Sequence, residues 1–377
     1  MRIHLNAKIA YQYLRWSATL MATWPLSDAT KQYRNVFYNM LWWLYLTNHL
    51  INLYLTLNTI ITHNKNHLTV FYTWLEISFV TENIIVLISY KLQETKWKQL
   101  LYTSKMTINR TEDNIRLENS DLYPKVFVAL LISFIVIVVS YVNKAETYER
   151  GLIMTTRYPF EIKSIGLKLF INLSQLITLL HASSILITDA IVVLLLYTCT
   201  IRLKIVEQKF KACKYYRHLK LHIHEHQKTL LLIEETNLLV SKTVLKSIAL
   251  FMSYSIGGGL VLYNKNTSSL QLMQICLVIC VIYLRVYVCA EIAEKMISTN
   301  ESIGFTIYFT RWYEESAKDI NAKNIIIQRC QKLPRIYING FMQSLNRSYV
   351  RMITYATFSY FMAIRKIINK TANCVDC

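Results

Sequence analysis

Three ionisable side chains lie inside strongly apolar runs of the sequence, where an isolated charge is costly. Glu82, Asp189 and Arg285 each fall towards one end of such a run. A charge in an apolar run is tolerated when it has a partner or can reach an aqueous interface. The sequence therefore predicts either an ion pair between Asp189 and Arg285 or side chains that extend to the interface, and it leaves both alternatives open.

Other residue patterns do not point to catalysis or metal binding. His222 and His226 in the stretch HIHEHQ share one helix face, as a two-ligand metal site would require. No cysteine or clear carboxylate ligand accompanies them, so a solvated helix face is the preferred interpretation. No Gly-rich phosphate loop, Ser/His/Asp arrangement or paired-carboxylate signature occurs. We therefore predict no catalytic residue, no metal, no cofactor and no enzyme activity.

The apolar runs indicate a membrane protein. Hydrophobic residues make up 53% of the 377 residues and charged residues only 17%. A helix of about 20 apolar residues crosses the ~30 Å hydrocarbon core of a bilayer. One globular domain with several apolar helices is the alternative. The predicted fold class is all-α with seven transmembrane helices, at 36–61, 69–90, 124–142, 166–200, 244–262, 270–290 and 336–368.

Two of these spans are unusual. The span at 166–200 is too long to lie wholly in lipid and should project from it. The first span is the weakest, because its apolar run is interrupted by polar residues. They are Asn39, Asn48, His49, Asn52 and Asn58.

Lysine and arginine residues predict how the spans are oriented. With 1–35 as a cytosolic N-terminal segment, the predicted cytosolic segments contain 27 Lys and Arg residues and the outer segments contain 7. The positive-inside rule therefore favours a cytosolic N-terminus, a seven-helix domain over 36–368 and an extracellular tail at 369–377. Most of the net charge of +19 is explained by orientation and by contact with membrane lipid, so no nucleic-acid partner is predicted.

Seven spans also suggest a G-protein-coupled receptor, but three features argue against that class. The predicted orientation is the reverse of the one in those receptors. The first cysteine is Cys199, so the extracellular disulfide at their third helix cannot form. None of the four prolines lies in the middle of a span. No G protein is therefore expected to be required.

The C-terminal third carries an ordered set of motifs. Tyr308, Trp312 and Tyr313 precede a basic turn, QRCQKLP at 328–334, and Ser-Tyr-Phe follows at 359–361. In this order the motifs resemble the insect odorant receptor family.

Two upstream stretches support the same assignment, and so does one difference from a sister family. WPL at 24–26 precedes the first span, and HEHQKTLLLIEETNLLVSKTVL at 224–245 leads into the fifth, so the resemblance covers most of the chain. The sister gustatory receptors end on Thr-Tyr, five residues and then Gln-Phe. Phe361 and Met362 occupy the last two of those positions here, which favours the odorant branch.

The resemblance implies an odorant-specific subunit of a ligand-gated, non-selective cation channel. Four subunits would surround a central pore, with the seventh helices as its wall and long cytosolic helical extensions as a shared anchor. The implied partners are a small volatile odorant, an odorant co-receptor subunit in a heterotetramer, and membrane lipid. The implied location is the plasma membrane of sensory-neuron dendrites. A gustatory-type channel subunit and a multi-pass transporter remain the alternatives, although no internal repeat supports the transporter.

Periodicity divides the last helix into two faces. Steps of three and four residues place small or weakly polar side chains on one face, namely Ser348, Met352, Ala356, Ser359, Ala363 and Lys366. Such a face is explained equally well by close packing against another helix and by a position in a pore wall. The resemblance favours a pore and implies Ser359, Met362, Ala363 and Lys366 as pore residues. Lys366 departs from the polar residue usual in the family, so we expect conduction only in a mixed tetramer.

A volatile ligand requires an apolar pocket with aromatic walls and a few polar groups. The resemblance places this pocket in the outer half of the bundle, between the second, third, fourth and sixth spans. The residues that fit it are Phe71, Tyr72, Trp74, Leu75, Phe134, Ile137, Val138, Tyr141, Leu173, Ile177, Thr178, His181 and Met273. Each of these side chains alone is also explained by helix packing, so the prediction depends on their convergence.

Overall fold

Most of the chain that the structure describes is α-helical. The computed structural model describes residues 7–26, 32–62, 67–110, 128, 132–133, 135–139, 142, 152–154, 156, 158–212, 216–263, 269–310, 312–337 and 341–375. No β-strand occurs within these residues. The predicted all-α fold class is confirmed.

Ten α-helices follow one another along the described residues. They are α1 (Ala7–Leu20), α2 (Gln32–Thr62), α3 (His67–Leu92), α4 (Glu94–Arg110), α5 (Ile165–His181), α6 (Ser183–Lys211), α7 (Tyr216–Tyr263), α8 (Ser269–Tyr308), α9 (Ala317–Gln331) and α10 (Arg347–Val375). A short 3₁₀ helix, Trp312–Glu314, precedes α9. The described residues between 128 and 142, in the third predicted span, are also helical.

Within the described residues, three helical segments are long and apolar enough to cross a membrane, judged by length and composition. They are Ile165–Lys211, Leu219–Gly259 and Leu272–Tyr308, which contain the fourth predicted span and most of the fifth and sixth. The first of them is interrupted only at Ala182, whose φ of −60° and ψ of −22° remain in the right-handed helical region. The long fourth span therefore continues through α5 into α6 and well past residue 200.

The last helix begins later than its predicted span. Residues 336–337 and 341–346 form a loop, in which the Leu345 N–H donates to the Ile336 carbonyl oxygen at 2.8 Å. Asn346 ends this loop, because its Oδ1 accepts from the Tyr349 N–H at 2.8 Å and so satisfies a free donor at the helix start. Helix α10 thus starts at Arg347, eleven residues after the predicted position 336.

Helices α6, α7 and α8 form the centre of the bundle. Their contact surfaces are lined with fully buried aliphatic side chains, among them Ile191, Leu203, Ile248, Ile292 and Met296. A smaller apolar cluster joins α2 to α3 through Trp42, Leu46, Val80, Ile84 and Leu87. The core is continuous from the predicted membrane region into the predicted cytosolic parts of α6, α7 and α8.

The predicted cytosolic extensions pack together with α9. Ile307 of α8 and Ile326 and Cys330 of α9 are buried there. Burial raises the pKa of the Cys330 thiol to about 12, so this thiol stays protonated and serves as a packing residue. Buried Glu207 of α6 accepts from Ser302 Oγ of α8 at 2.8 Å. These contacts hold the extensions as one layer.

Glycines allow α7 to approach its neighbours closely. A β-carbon at Gly258 would lie 2.8 Å from Ile279 Cδ1 and 3.0 Å from Ile275 Cγ2 of α8. The stretch IGGGLV at 256–261 therefore provides close helix packing within the fifth predicted span.

Candidate ligand site and pore helix

Four charged side chains from four helices meet inside the bundle. Arg285 of α8 donates through Nε to a carboxylate oxygen of Asp189 on α6 and through Nη2 to Glu82 Oε1 on α3 at 2.7 Å. Lys246 of α7 lies 3.2 Å from the same Glu82 oxygen. Two acids thus face two bases in a set that is nearly inaccessible to solvent. Since a buried charge requires a partner, this ionic cluster fixes the four helices relative to one another.

A layer of polar side chains lies between α2 and α5. Thr178 Oγ1 accepts from Asn48 Nδ2 at 2.8 Å and from Asn52 Nδ2 at 2.9 Å. Ser174 Oγ donates to Asn48 Oδ1 at 2.5 Å. Asn52 and Thr178 are fully buried. Because unpaired amides are costly in an apolar interior, these bonds set the register of α2 against α5.

Two buried histidines extend this layer towards α1. His49 Nε2 lies 2.9 Å from His181 Nδ1, and His181 Nε2 lies 3.0 Å from the Met21 carbonyl oxygen. A carbonyl oxygen only accepts, so neutral His181 carries its proton on Nε2 and accepts from the His49 Nε2–H through Nδ1. The ring of Tyr45 lies against His181 with centroids 4.3 Å apart. One tautomer of each ring is thereby fixed.

Over residues 347–366, whose side chains the structure describes, helix α10 packs against α7 and α8 through one face. Val350, Ile353 and Thr357 are buried on that face, and Phe361 and Ile364 are half-buried. The opposite face is the one that periodicity singled out, and most of its side chains are exposed. Those exposed are Ser348, Met352, Ser359, Ala363 and Lys366, and Ala356 is half-buried.

The start of α10 is attached to α8 by ion pairs. The Arg347 guanidinium donates to both carboxylate oxygens of Glu291. The Arg347 backbone N–H donates to Glu294 Oε2 at 3.0 Å. A bidentate arginine pair has a defined geometry, so it fixes the direction in which α10 leaves α8.

The sequence matches the family described as "7tm Odorant receptor" over residues 33–354. The chain belongs to this odorant receptor family. The receptor is accordingly a multi-pass membrane protein and not an enzyme. The match lies between the WPL stretch at 24–26 and the Ser-Tyr-Phe motif at 359–361, and includes neither. No curated protein matched the sequence.

Two solved structures share the fold of the receptor. The insect olfactory receptor OR5 from Machilis hrabei in complex with eugenol has a TM-score of 0.78 at 13% identity, covering 96% of this chain and 97% of that one. The structure of the same OR5 alone has a TM-score of 0.76 at 14% identity, covering 95% and 99%. The similarity therefore extends over nearly the full length of both chains.

The receptor places the predicted ligand residues in different environments. The buried ones are Leu75, Val138, Thr178 and His181, the half-buried ones are Ile137 and Ile177, and the exposed ones are Trp74, Leu173 and Met273. The side chains of Phe71, Tyr72, Phe134 and Tyr141 lie outside the described part of the structure. Trp74 Nε1 donates to Ser253 Oγ of α7 at 3.0 Å. Among the described side chains of this set, Thr178 and His181 share contacts with α2, and convergence of the whole set stays a prediction.

Sequence reasoning did not predict that residues of α2 contact Thr178 and His181. Asn48 and Asn52 are four residues apart and therefore share one helix face, with His49 beside them. These polar residues interrupt an apolar run and so weakened the prediction of the first span. The spacing was a signal of a buried polar contact, but the sequence did not show that α5 supplies the partners.

Proposed function

We propose that the receptor is an odorant-specific subunit of a ligand-gated, non-selective cation channel. A small volatile molecule binds within the outer half of the helix bundle and opens a pore formed by the seventh span. The observation that carries the channel assignment is the one-sided packing of α10, which leaves a face of small residues uncovered by its own chain. The complex of the related OR5 with eugenol supports a small organic ligand by analogy.

The exposed surface of α10 suits a helix at the axis of an oligomer. Its small-residue face is flanked by exposed Tyr355 and Phe358 on one side and Tyr360 on the other. Around a symmetry axis, the small face lines the pore and the flanking aromatic rings contact the neighbouring subunits. Ser359, Met362, Ala363 and Lys366 are the proposed pore residues.

The α2–α5 polar layer supports the ligand part of the proposal. A ligand pocket needs apolar walls and a few fixed polar groups, and Thr178 and His181 are such groups at a buried position. Leu75 and Val138 supply buried apolar surface on two further spans. The other predicted ligand residues complete the proposed pocket.

The proposed partners follow from the charge on α10. Four copies of Lys366 around one axis would repel cations, so the receptor works beside an odorant co-receptor subunit in a heterotetramer. The proposed location is the dendritic plasma membrane of sensory neurons.

Current recordings test the proposal. The receptor is co-expressed with an odorant co-receptor subunit, and cation current is measured against a panel of volatile compounds. Thr178→Val removes the hydroxyl that accepts from Asn48 and Asn52, and it should change the rank order of active compounds at normalised surface expression. The control is Ser183→Ala, whose hydroxyl, among the described residues, bonds to the Leu180 carbonyl oxygen of its own turn.

Two outcomes would contradict the proposal. Silence across a broad panel despite surface delivery would argue against odorant gating. An unchanged rank order in Thr178→Val, with a loss of expression alone, would mean that the polar layer serves packing and not ligand recognition.

A further inference from the structure

Helix α1 approaches the predicted membrane from its cytosolic side. Its first half lies against α4, where the Tyr11 hydroxyl donates to the Leu101 carbonyl oxygen at 3.3 Å. The end of α1 lies deeper in the predicted membrane than its first half. Met21, just after the helix, contacts His181, and the Leu20 carbonyl oxygen accepts from the Tyr45 hydroxyl at 3.5 Å. Both His181 and Tyr45 belong to predicted membrane spans.

The chain turns back after this deepest point. The Trp24 carbonyl oxygen accepts from the Tyr38 hydroxyl at 2.6 Å, close to the inner start of the first predicted span. Arg15 and Met21 are six residue steps apart, which corresponds to a rise of about 9 Å along a helix. Arg15 therefore lies near the cytosolic boundary of the predicted membrane.

Two opposite faces of α1 are apolar. Tyr11, Leu14 and Ala18 form the buried face against the bundle. The other apolar face is exposed and repeats every three or four residues: it consists of Ile9, Tyr13, Trp16 and Leu20. Trp16, at 67% exposure, is the most accessible of them. Aromatic and aliphatic side chains with this spacing suit a helix that contacts the interfacial region of a bilayer.

A cleft opens beside that exposed face, between α1 and α4. It encloses about 190 Å³ and is lined by Tyr11, Gln12, Arg15, Lys105, Ile108 and Asn109. Its polar lining thus consists of two cations, two amides and one phenol. Arg15 and Gln12 lie on the flank of α1 between its buried face and its exposed apolar face, so the cleft is continuous with both.

We propose that this cleft binds the phosphate-bearing headgroup of an anionic phospholipid from the cytosolic leaflet. Arg15 and Lys105 hold the phosphate, with the guanidinium able to donate two parallel hydrogen bonds. Gln12 and Asn109 bond the remaining headgroup polar atoms, and the acyl chains lie along Trp16 and Leu20. The negative charge of the cytosolic leaflet makes such a lipid the natural occupant of a cationic cleft at this depth. The site is separate from the proposed odorant pocket and pore.

Lipid titration of the purified full-length receptor tests this site. Binding of dioctanoyl phosphatidylserine in detergent is compared with binding of dioctanoyl phosphatidylcholine. Each basic residue near an anionic surface strengthens binding roughly fivefold, so the double variant Arg15→Gln/Lys105→Gln should bind phosphatidylserine roughly 25-fold more weakly. Lys318→Gln removes an exposed charge from α9, away from the cleft, and should change the affinity less than twofold.

Several results would overturn the proposal. They are an unchanged affinity in the double variant, an equal loss in Lys318→Gln, and complete displacement of the lipid by excess inorganic phosphate, which would indicate a site for free anions. Self-association of the receptor is also compared with lipid affinity in Trp16→Ala. If this variant loses self-association while its lipid affinity is unchanged, the exposed face is assigned to a subunit contact. If the double variant does not yield folded protein, Gln12→Glu places a carboxylate in the cleft without removing either cation and must also weaken binding.

A segment of the chain itself is the competing occupant. Four carboxylates follow α4 in the sequence, outside the described residues: Glu112, Asp113, Glu118 and Asp121. Exchanging all four for their amides should leave phosphatidylserine binding nearly unchanged. A rise of about tenfold or more, equivalent to ~1.4 kcal/mol, would assign the cleft to this segment and overturn the proposal.

Discussion

Gly259 of α7 lies directly against the ring of Phe361 of α10. A β-carbon at position 259 would stand 2.8 Å from Cδ2 and 2.9 Å from Cε2 of that ring. Real β-carbons do not approach other atoms so closely, so only glycine allows α7 and α10 to take this separation. The contact joins the fifth span to the proposed pore helix, and Phe361 belongs to the Ser-Tyr-Phe motif.

Gly259→Ala should therefore destabilise the receptor and reduce the odorant-evoked current. Alanine is the better helix former by about 1 kcal/mol, but overpacking against Phe361 costs about 1–3 kcal/mol. Gly166→Ala is the matched control, since its β-carbon would meet only Ser164 Oγ at 3.7 Å. Thermal unfolding should separate the two variants, and Phe361→Leu should rescue Gly259→Ala. Equal stabilisation by both alanines would disprove the close contact.

Arg285→Gln should prevent normal folding and surface delivery. The change leaves Glu82 and Asp189 buried with Lys246 as their remaining cation, and breaking a buried ion pair costs about 3–5 kcal/mol. Surface biotinylation and the unfolding temperature in detergent measure the effect. Glu161→Gln is the control, because its pair with Lys163 is exposed and worth at most ~1 kcal/mol. Similar behaviour of the two variants would show that the buried cluster is not structural.

Mild acid should weaken the predicted cytosolic layer through His226. Burial, with Arg329 nearby, lowers the pKa of His226, whose Nε2 lies 3.2 Å from Asn300 Oδ1. The pKa of this histidine in the unfolded chain is about 6.5. As pH falls below that value, the unfolded chain therefore takes up the proton before the folded chain does. The stability present above that pH is therefore lost as pH falls through the lowered pKa.

The unfolding temperature at pH 7.5 and pH 5.5, values chosen about 1 unit on either side of the unfolded pKa, measures this loss. His226→Gln should show a smaller drop than the unaltered receptor. His224→Gln, an exposed neighbour on the same helix, should retain the full drop. A full drop in His226→Gln would place the pH dependence at other groups.

The receptor expressed alone should carry no robust cation current. With the co-receptor subunit present, Lys366→Gln should raise the single-channel cation conductance, because it removes a positive charge from the proposed pore wall. Lys163→Gln removes a charge from an exposed predicted outer loop and should have no such effect. Robust current from the unaltered receptor alone would refute the requirement for a mixed channel.

The long apolar runs predicted the all-helical fold, because run length and charge content are properties of the sequence alone. Periodicity likewise identified the two faces of α10, since Ile353 and Thr357 fall on one side of any regular helix. Rotation of one helix relative to another is not encoded locally. Asp189 was therefore a plausible partner for Arg285, whereas the participation of Glu82 and Lys246 depended on how four helices turn towards a common point.

The same limit applies to the ligand site. Thr178 and His181 were predicted to face a pocket between the second, third, fourth and sixth spans. In the structure they bond to Asn48, Asn52 and His49 of the first span and to the backbone of Met21, and Thr178 also donates to the Ser174 carbonyl oxygen of its own helix.

The ionic cluster has a consequence for the electrical behaviour of the channel. Glu82 and Asp189 together balance Lys246 and Arg285, so the cluster carries no net charge through the membrane field. A transmembrane voltage does about 2.3 kcal/mol of work per elementary charge for each 100 mV, and it does none on a neutral group that moves as a unit. Moving the cluster as a unit across the membrane field therefore requires no electrical work at any transmembrane voltage.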